Sequence, residues 1–415
     1  MTIVGIVLSV FFSSAHPSVF PLGGTAAAAE HITLTWAADP QTTQTITWKT
    51  GSTDVAGQVQ YAEEIGGKSF PLDAKVAISR VEELVTNWGT MNVHSVTLTS
   101  LKPGTSYRYR VQEVGEWSEL HQFTTAPTHG KGFKFLVFGD SQSSNYNVWQ
   151  KTIHNAYQAN PEAVFFTNIG DLVDVGQDYA QWKAWFDGAQ GVIDTIPVMP
   201  VTGNHEAYTP ERRFSMPILF TAQLKLPLTG PEGLKGQVYS FDYGDVHFSM
   251  LDSQEGEERS FVPEMLEKQK AWLENDLATT KKKWKIVCFH RSPYNNKENR
   301  ANDNIRMAFV PIIDKYHADV VFTGHDHVYA HTYPLYNDVI VDNSSKGTIY
   351  VATGRSGTKT YSDATAKDWN EFFYNPLDEP NYLTVEVRGD VLIVKAFKQS
   401  GILIDEWKVD KNSVK

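Results

Sequence analysis

Five short clusters of aspartate, asparagine and histidine recur along the 415-residue chain. In order they are Gly139-Asp140-Ser141-Gln142, Gly170-Asp171-Leu172-Val173-Asp174, Gly203-Asn204-His205-Glu206, Phe289-His290-Arg291-Ser292-Pro293 and Gly324-His325-Asp326-His327. Carboxylate and imidazole are the donors that hard and borderline cations take, and a two-oxygen carboxylate can bridge two of them. Singly, each cluster has a plainer explanation: Asp140 as a helix cap, Asp171 and Asp174 as turn formers, Asn204-His205-Glu206 as a polar turn, His290 as a hydrogen-bonded strand-end histidine. His325-Asp326-His327 is the hardest to assign to packing, because two imidazoles flank one residue just past an apolar run. Five plain explanations must hold together, where one metal site accounts for all. Two cations about 3.5 to 4 Å apart hold an ester oxygen, lower the pKa of water and stabilise attacking and leaving oxygens in line, which is the chemistry of phosphate-ester hydrolysis.

Each cluster follows an apolar run that reads as a buried strand, at 135–138, 164–166, 198–201, 286–289 and 320–322. Five strand ends would then bring their ligands to one edge, where α/β sheets place their sites. Helical periodicity lies between them, at 147–159, 179–192, 263–278 and 305–317; in the third, Leu266, Trp272, Leu273 and Leu277 are expected to share a face. Beyond Thr348 the pattern returns to strands, with a hairpin expected across Arg388-Gly389-Asp390. Upstream, from His31 to about Pro127, short alternating runs such as Ile32, Leu34, Trp36 and Tyr107, Tyr109, Val111 show no helical period. Leu101-Lys-Pro-Gly-Thr-Ser-Tyr107 fits the tyrosine corner of an immunoglobulin-like sandwich, and this piece looks like a fibronectin type III domain. The polar segment 126–132 joins the two parts.

A formal net charge of -11 argues against a general nucleic-acid or membrane-surface binder, so an anionic substrate must be drawn locally by metals or a few cations. The single cysteine, Cys288, excludes an internal disulfide framework and reads as core packing. Residues 1–29 resemble an export signal, an apolar segment followed by Ala26-Ala27-Ala28-Ala29, although no Lys or Arg precedes Lys49. His16 and Pro17 interrupt that segment too early for a membrane span.

The order GD, GD, GNHE, H, GHDH resembles that of the calcineurin-like metallophosphoesterases, and the sandwich in front makes the chain similar to a purple acid phosphatase. The resemblance covers nearly the whole chain. It implies an N-terminal all-β immunoglobulin- or fibronectin III-like sandwich over 30–127 and a C-terminal α/β four-layer metallophosphoesterase sandwich over 133–411. By position it implies a first metal on Asp140, Asp171 and His327, and a second on Asp171, Asn204, His290 and His325, with Asp171 the bridge. His205 would protonate the leaving alkoxide.

The sequence departs from that pattern twice. Purple enzymes carry a tyrosine three residues after the bridging aspartate, where Asp174 stands; other metallophosphoesterases usually carry histidine where Gln142 stands. Gln142 either lends its carbonyl to the first metal or bonds a loop or substrate, and Asp174 is either an added ligand or a partner of the ligands. Two divalent ions among manganese, iron and zinc fit such a set better than a ferric one. Arg291 and Arg355 are substrate-binding candidates, each with a plain surface or loop alternative, as are Tyr294 and His331. The expected function is an exported phosphomonoesterase acting through a metal-bound hydroxide on a small phosphate ester. A phosphodiesterase or nucleotidase with the same core is the first alternative, and a degenerate fold used for binding the second. The sequence assigns no oligomeric state.

Overall fold

The computed structural model describes residues 29–412 except 52–56, 67–69, 72, 114–115 and 129–131. The export-like stretch at 1–29 therefore lies, but for its last residue, outside the described residues. Alternating apolar and threonine positions build two antiparallel sheets at the N-terminal end. One orders Glu30–Thr35, Gln44–Gly51, Gly89–Leu98 and Arg80–Thr86; the other is centred on Gln58–Glu63 and Ser106–Glu113. Ile32, Leu34, Trp48, Tyr107 and Tyr109 fill the space between them. The tyrosine corner is formed: the Lys102 N–H donates to the Tyr107 hydroxyl oxygen at 2.8 Å.

From Phe133 onward two mixed sheets lie face to face. The first orders Ala163–Asn168, Phe133–Phe138, Asn381–Arg388, Val391–Lys398 and Leu403–Asp410. The second orders Tyr239–Tyr243, Val246–Met250, Trp284–Arg291, Val320–Gly324, Ile349–Thr353, Tyr329–Thr332 and Asn370–Tyr374. Phenylalanines interlock across the gap, Phe135 stacking on Phe165 at 4.8 Å and meeting Phe248 edge-on at 5.4 Å. Helices Asn147–Ala159 and Tyr179–Ala189 pack together on the outer side of the first sheet, Trp149 against Trp185 at 5.5 Å. Helices Met265–Thr279 and Asp303–Tyr316 cover the second, with Leu273, Leu277, Phe309 and Ile313 in one core with Val287, Phe289 and Val321. This is the expected four-layer arrangement, and the hairpin across Gly389 is present.

Three expectations need correction. Val198–Val201 makes only isolated bridges to Phe166 and Ile169, because Pro197 and Pro200 lack the N–H groups a ladder needs. The buried positions of Met265–Thr279 are Met265, Gln269, Leu273 and Leu277, while Leu266 and Trp272 pack only at its margin. Tyr294 and His331 neither flank the site nor reach the surface: Tyr294 is buried and donates its hydroxyl to Asp338, and His331 packs beside Asp405.

The sandwich is joined to the C-terminal layers by backbone hydrogen bonds and by packed side chains, Trp36 among them. The Leu34 N–H donates to Ile193 O, and the Val198 N–H to Leu34 O, each at 2.9 Å. Trp36, fully buried, leaves the sandwich core to join the Phe165, Phe241 and Tyr243 rings. Trp36→Ala should therefore destabilise the C-terminal layers by about 3–5 kcal/mol. Thermal unfolding followed through the C-terminal domain checks this, and an unshifted melt would show that the two parts are energetically separate.

Candidate metal centre

Both sheets deliver residues to one place. The first supplies Asp140 after Phe133–Phe138 and Asp171 after Ala163–Asn168; the second supplies His290 from Trp284–Arg291, and His325 and His327 after Val320–Gly324. The Ser356 and Gly357 N–H groups donate to Asp140 O at 2.9 and 3.0 Å, tying the two sheets at this end. Close approach dictates the glycines: a Cβ on Gly203 would lie 2.2 Å from Asp171 N, and one on Gly324 2.6 Å from Asp140 Oδ1. Asp171, His325 and His327 take left-handed φ values of 51°, 73° and 56°, a conformation that non-glycine residues hold only where surrounding structure enforces it.

Two groups of ligand atoms result, Asp171 with His290 and His325, and Asp140 with Asp171 and His327; within each, the atoms all lie within 4.8 Å. Asp171 belongs to both. His290 donates Nδ1–H to Ile169 O at 2.7 Å, and His327 donates Nδ1–H to Lys359 O at 2.9 Å. Each ring thereby turns a bare Nε2 inward, as metal-binding histidines do. His327 Nε2 lies 2.8 Å from Asp140 Oδ2, and His290 Nε2 lies 3.2 Å from Asp171 Oδ2. Acceptors facing each other at such distances require a proton or a cation between them. Two further oxygens, Gln142 Oε1 and Asn204 Oδ1, are buried, like Asp140 Oδ2, without a hydrogen-bond partner. Orphaned acceptors beside paired carboxylates and imidazoles are the donor set of hard and borderline divalent ions, so the residues fit the metals.

Electrostatics say the same. Burial disfavours charge on Asp171, yet His290 and His205 hold its carboxyl well below the usual range. Burial also opposes a charged His290, and the Asp171 and Asp140 charges push it up to about 9. Without metal, a proton on His290 plays the cation's part. Glu206, whose role the sequence reading did not assign, organises the loops: it accepts N–H bonds from Gly203 at 2.6 Å, Asp171 at 2.9 Å, Leu172 at 2.8 Å and Val173 at 3.2 Å. Burial and the Asp171 charge push its carboxyl up to about 8, and those backbone donors pull it down. Its position three residues after Gly203 is the spacing of a capping glutamate, which was readable.

Gln142 faces the site, its Nε2 3.3 Å from Asp171 Oδ2 and 3.2 Å from His327 Nε2. A half-turn of the amide exchanges that nitrogen for the unpartnered Oε1. Asp174 does not join either ligand group among the described residues. Its Oδ1 lies 3.2 Å from His205 Nδ1 and its Oδ2 accepts from Arg212 at 2.8 Å, so it is a partner of His205, the aspartate being too short to reach the ligand cluster as a tyrosine would. His205 donates Nδ1–H to Asp174 O at 2.7 Å and turns Nε2 toward Lys359 Nζ, 3.0 Å away. No sequence signal linked Lys359 to His205, which lies 154 residues earlier. Arg291 is drawn to Glu257 at 2.6 Å and Gln254 at 3.0 Å. Arg355 is not a substrate group: it is buried, and its guanidinium donates to Pro376 O and Gly357 O, bracing the loop beside Asp140. Of the tyrosines nearby, Tyr146 meets Gln181 and Tyr179 packs on Trp88.

A four-layer sandwich that brings two such ligand groups together at its sheet ends is the architecture of metal-dependent phosphoester hydrolases. Residues 29–125 match the family model described as Purple acid Phosphatase, N-terminal domain, and residues 133–329 match Calcineurin-like phosphoesterase. Acid phosphatase type 7 of Mus musculus is 26% identical over 356 residues, covering 79% of this chain and 78% of that one. Purple acid phosphatase 23 of Arabidopsis thaliana is 24% identical over 375 residues, with the same shares covered. A purple acid phosphatase from yellow lupin seeds shares the fold, with a TM-score of 0.74 at 18% identity over 92% of this chain and 74% of that one. The chain belongs to the calcineurin-like phosphoesterases of the purple acid phosphatase type. The family model places the first domain with the phosphatases, so the fibronectin comparison describes only its architecture.

If Gln142 Oε1 is a ligand atom, Gln142→Ala should lower metal occupancy at one site and leave the other filled, since Asp140, Asp171 and His327 remain. Elemental analysis across a manganese and a zinc titration checks this. Unchanged stoichiometry and affinity would remove Gln142 from the ligand set.

Proposed function

We propose that the protein hydrolyses phosphate monoesters at a two-metal site, with Asp140, Asp171, His327 and Gln142 holding one ion and Asp171, Asn204, His290 and His325 the other. The observation that carries this reading is the convergence of two ligand groups on Asp171 with the orphaned oxygens of Asp140, Gln142 and Asn204. When bound, such a pair supplies Lewis acidity toward phosphate oxygens and lowers the pKa of water.

The chain's own groups do the rest. The Asp174 carbonyl fixes the tautomer of His205, leaving Nε2 free to carry a proton to the departing oxygen. The Asp174 carboxylate, braced by Arg212, faces the opposite nitrogen and holds the ring's orientation. His205 Nε2 lies 3.9 Å from Asp171 Oδ2, so a leaving oxygen beside the shared carboxylate is within its reach. The His205 N–H donates to Asp171 Oδ1 at 2.9 Å, and the proton donor and the shared ligand therefore move as one unit.

A monoester is favoured over a diester because Lys359, at the cleft beside His205, supplies a cation suited to a dianionic phosphate. Among the described residues no helix is long and apolar enough to cross a membrane. Export rests on the character of residues 1–29, and the ion pair is drawn from manganese, iron and zinc.

Chelation to a metal-free state, confirmed by elemental analysis, should abolish release of phosphate from a panel of monoesters and diesters, and readdition should restore it with monoesters preferred. Turnover by the metal-free sample would end the reading. His205→Ala should slow esters with poor leaving groups by about 10² to 10⁴, and slow esters whose leaving group departs unprotonated much less. An equal loss on both would assign His205 to metal binding instead.

A further inference from the structure

Lys359 is a cation at this site that, unlike Arg291 with Glu257, has no carboxylate partner among the described residues. Its Nζ lies 3.0 Å from His205 Nε2, and among the described residues no carboxylate lies within 4 Å of it. Neighbouring cations are compensated: Lys297 pairs with Asp363 and Arg300 with Asp326, although both share the Tyr361 ring with Lys359. The backbone of Lys359 is fixed to the ligand cluster, since its carbonyl accepts Nδ1–H from His327, and the Tyr361 ring sits 4.5 Å from the His327 ring. The side chain is thus held between the ligand atoms and a cleft of about 630 Å³, whose wall includes Ser143, Ser144, Tyr146, Gln181 and Thr358. That wall offers hydroxyls and amides. Its single carboxylate, Asp174, is already paired with Arg212, and Lys359 is its single cation.

We propose that Lys359 is a substrate-contacting residue, donating to a phosphate oxygen next to His205, and that the ester's alcohol half lies in the adjoining cleft as an uncharged, hydroxyl-rich group such as a sugar or polyol. A cation without a counterion beside a phosphate site gains a charge-assisted hydrogen bond when the anion arrives. The hydroxyls of Ser143, Ser144, Thr358 and Tyr146, bonded within the protein here, can exchange those bonds for alcohol oxygens, and the wall gives a second anionic group no further cation. Lys359 and Asp174, both in contact with His205, line the cleft, which places it next to the group that would protonate the departing alcohol. This inference rests on the phosphoesterase reading.

The test uses the full chain loaded with its metals. Orthophosphate binding by calorimetry should weaken roughly tenfold to a hundredfold in Lys359→Met and largely recover in Lys359→Arg, with metal content unchanged in both. Ser144→Trp should raise KM for a hexose monophosphate several-fold more than KM for methyl phosphate. Unchanged phosphate binding in a fully metallated Lys359→Met protein would overturn the Lys359 contact, as would loss of metal in that variant, which would mean that the residue acts through the His327 loop. An unaltered hexose monophosphate KM in Ser144→Trp would overturn the alcohol's placement. Failure of the wild-type protein to bind metal or release phosphate would instead overturn the phosphoesterase reading itself.

Discussion

The buried carboxylate of Asp171 is the constraint on which the rest of the structure turns. Its Oδ1 accepts from the His205 backbone, its own N–H is taken by Glu206, and its Oδ2 faces His290 and Gln142. A carboxylate this deep is costly unless charge of the opposite sign and hydrogen bonds surround it. Two sheets, a short helical turn and a left-handed backbone at Asp171 itself supply that surrounding.

The same constraint explains why the ligand loops cost stability locally and are held so firmly elsewhere. Left-handed φ at three ligand residues and buried unpartnered oxygens are unfavourable in isolation. The aromatic core between the sheets, the Glu206 bonds across two loops and the Asp140 link to Ser356 and Gly357 offset them. The N-terminal sandwich takes part, because Trp36 packs into the same core as the strands that carry Asp140 and Asp171. It acts as a brace and stands apart from the ligand set.

Both departures from the family pattern lie on the Asp140 side. The Gln142 amide faces the site with its Oε1 unpartnered, and Asp174 stands outside both carboxylate and imidazole groups. Asp174, freed from ligation, orients His205.

The sequence by itself determined four of the five strands that precede the Asp, Asn and His clusters, most helix spans and the two-part organisation, because period and turn chemistry are local. The hairpin at Gly389 and the corner at Tyr107 were legible for the same reason. Only the tertiary structure decided which side chains beyond the clusters meet. Arg355, which follows a strand as the ligands do, turns its guanidinium to backbone carbonyls, and Lys359, four residues on, reaches His205. Asp174 was placed by the fold too, since a turn aspartate can point to either side of its loop. Such contacts depend on how two separate sheets are set against each other, and that register is fixed by packing of the whole core, which no local pattern in the chain encodes.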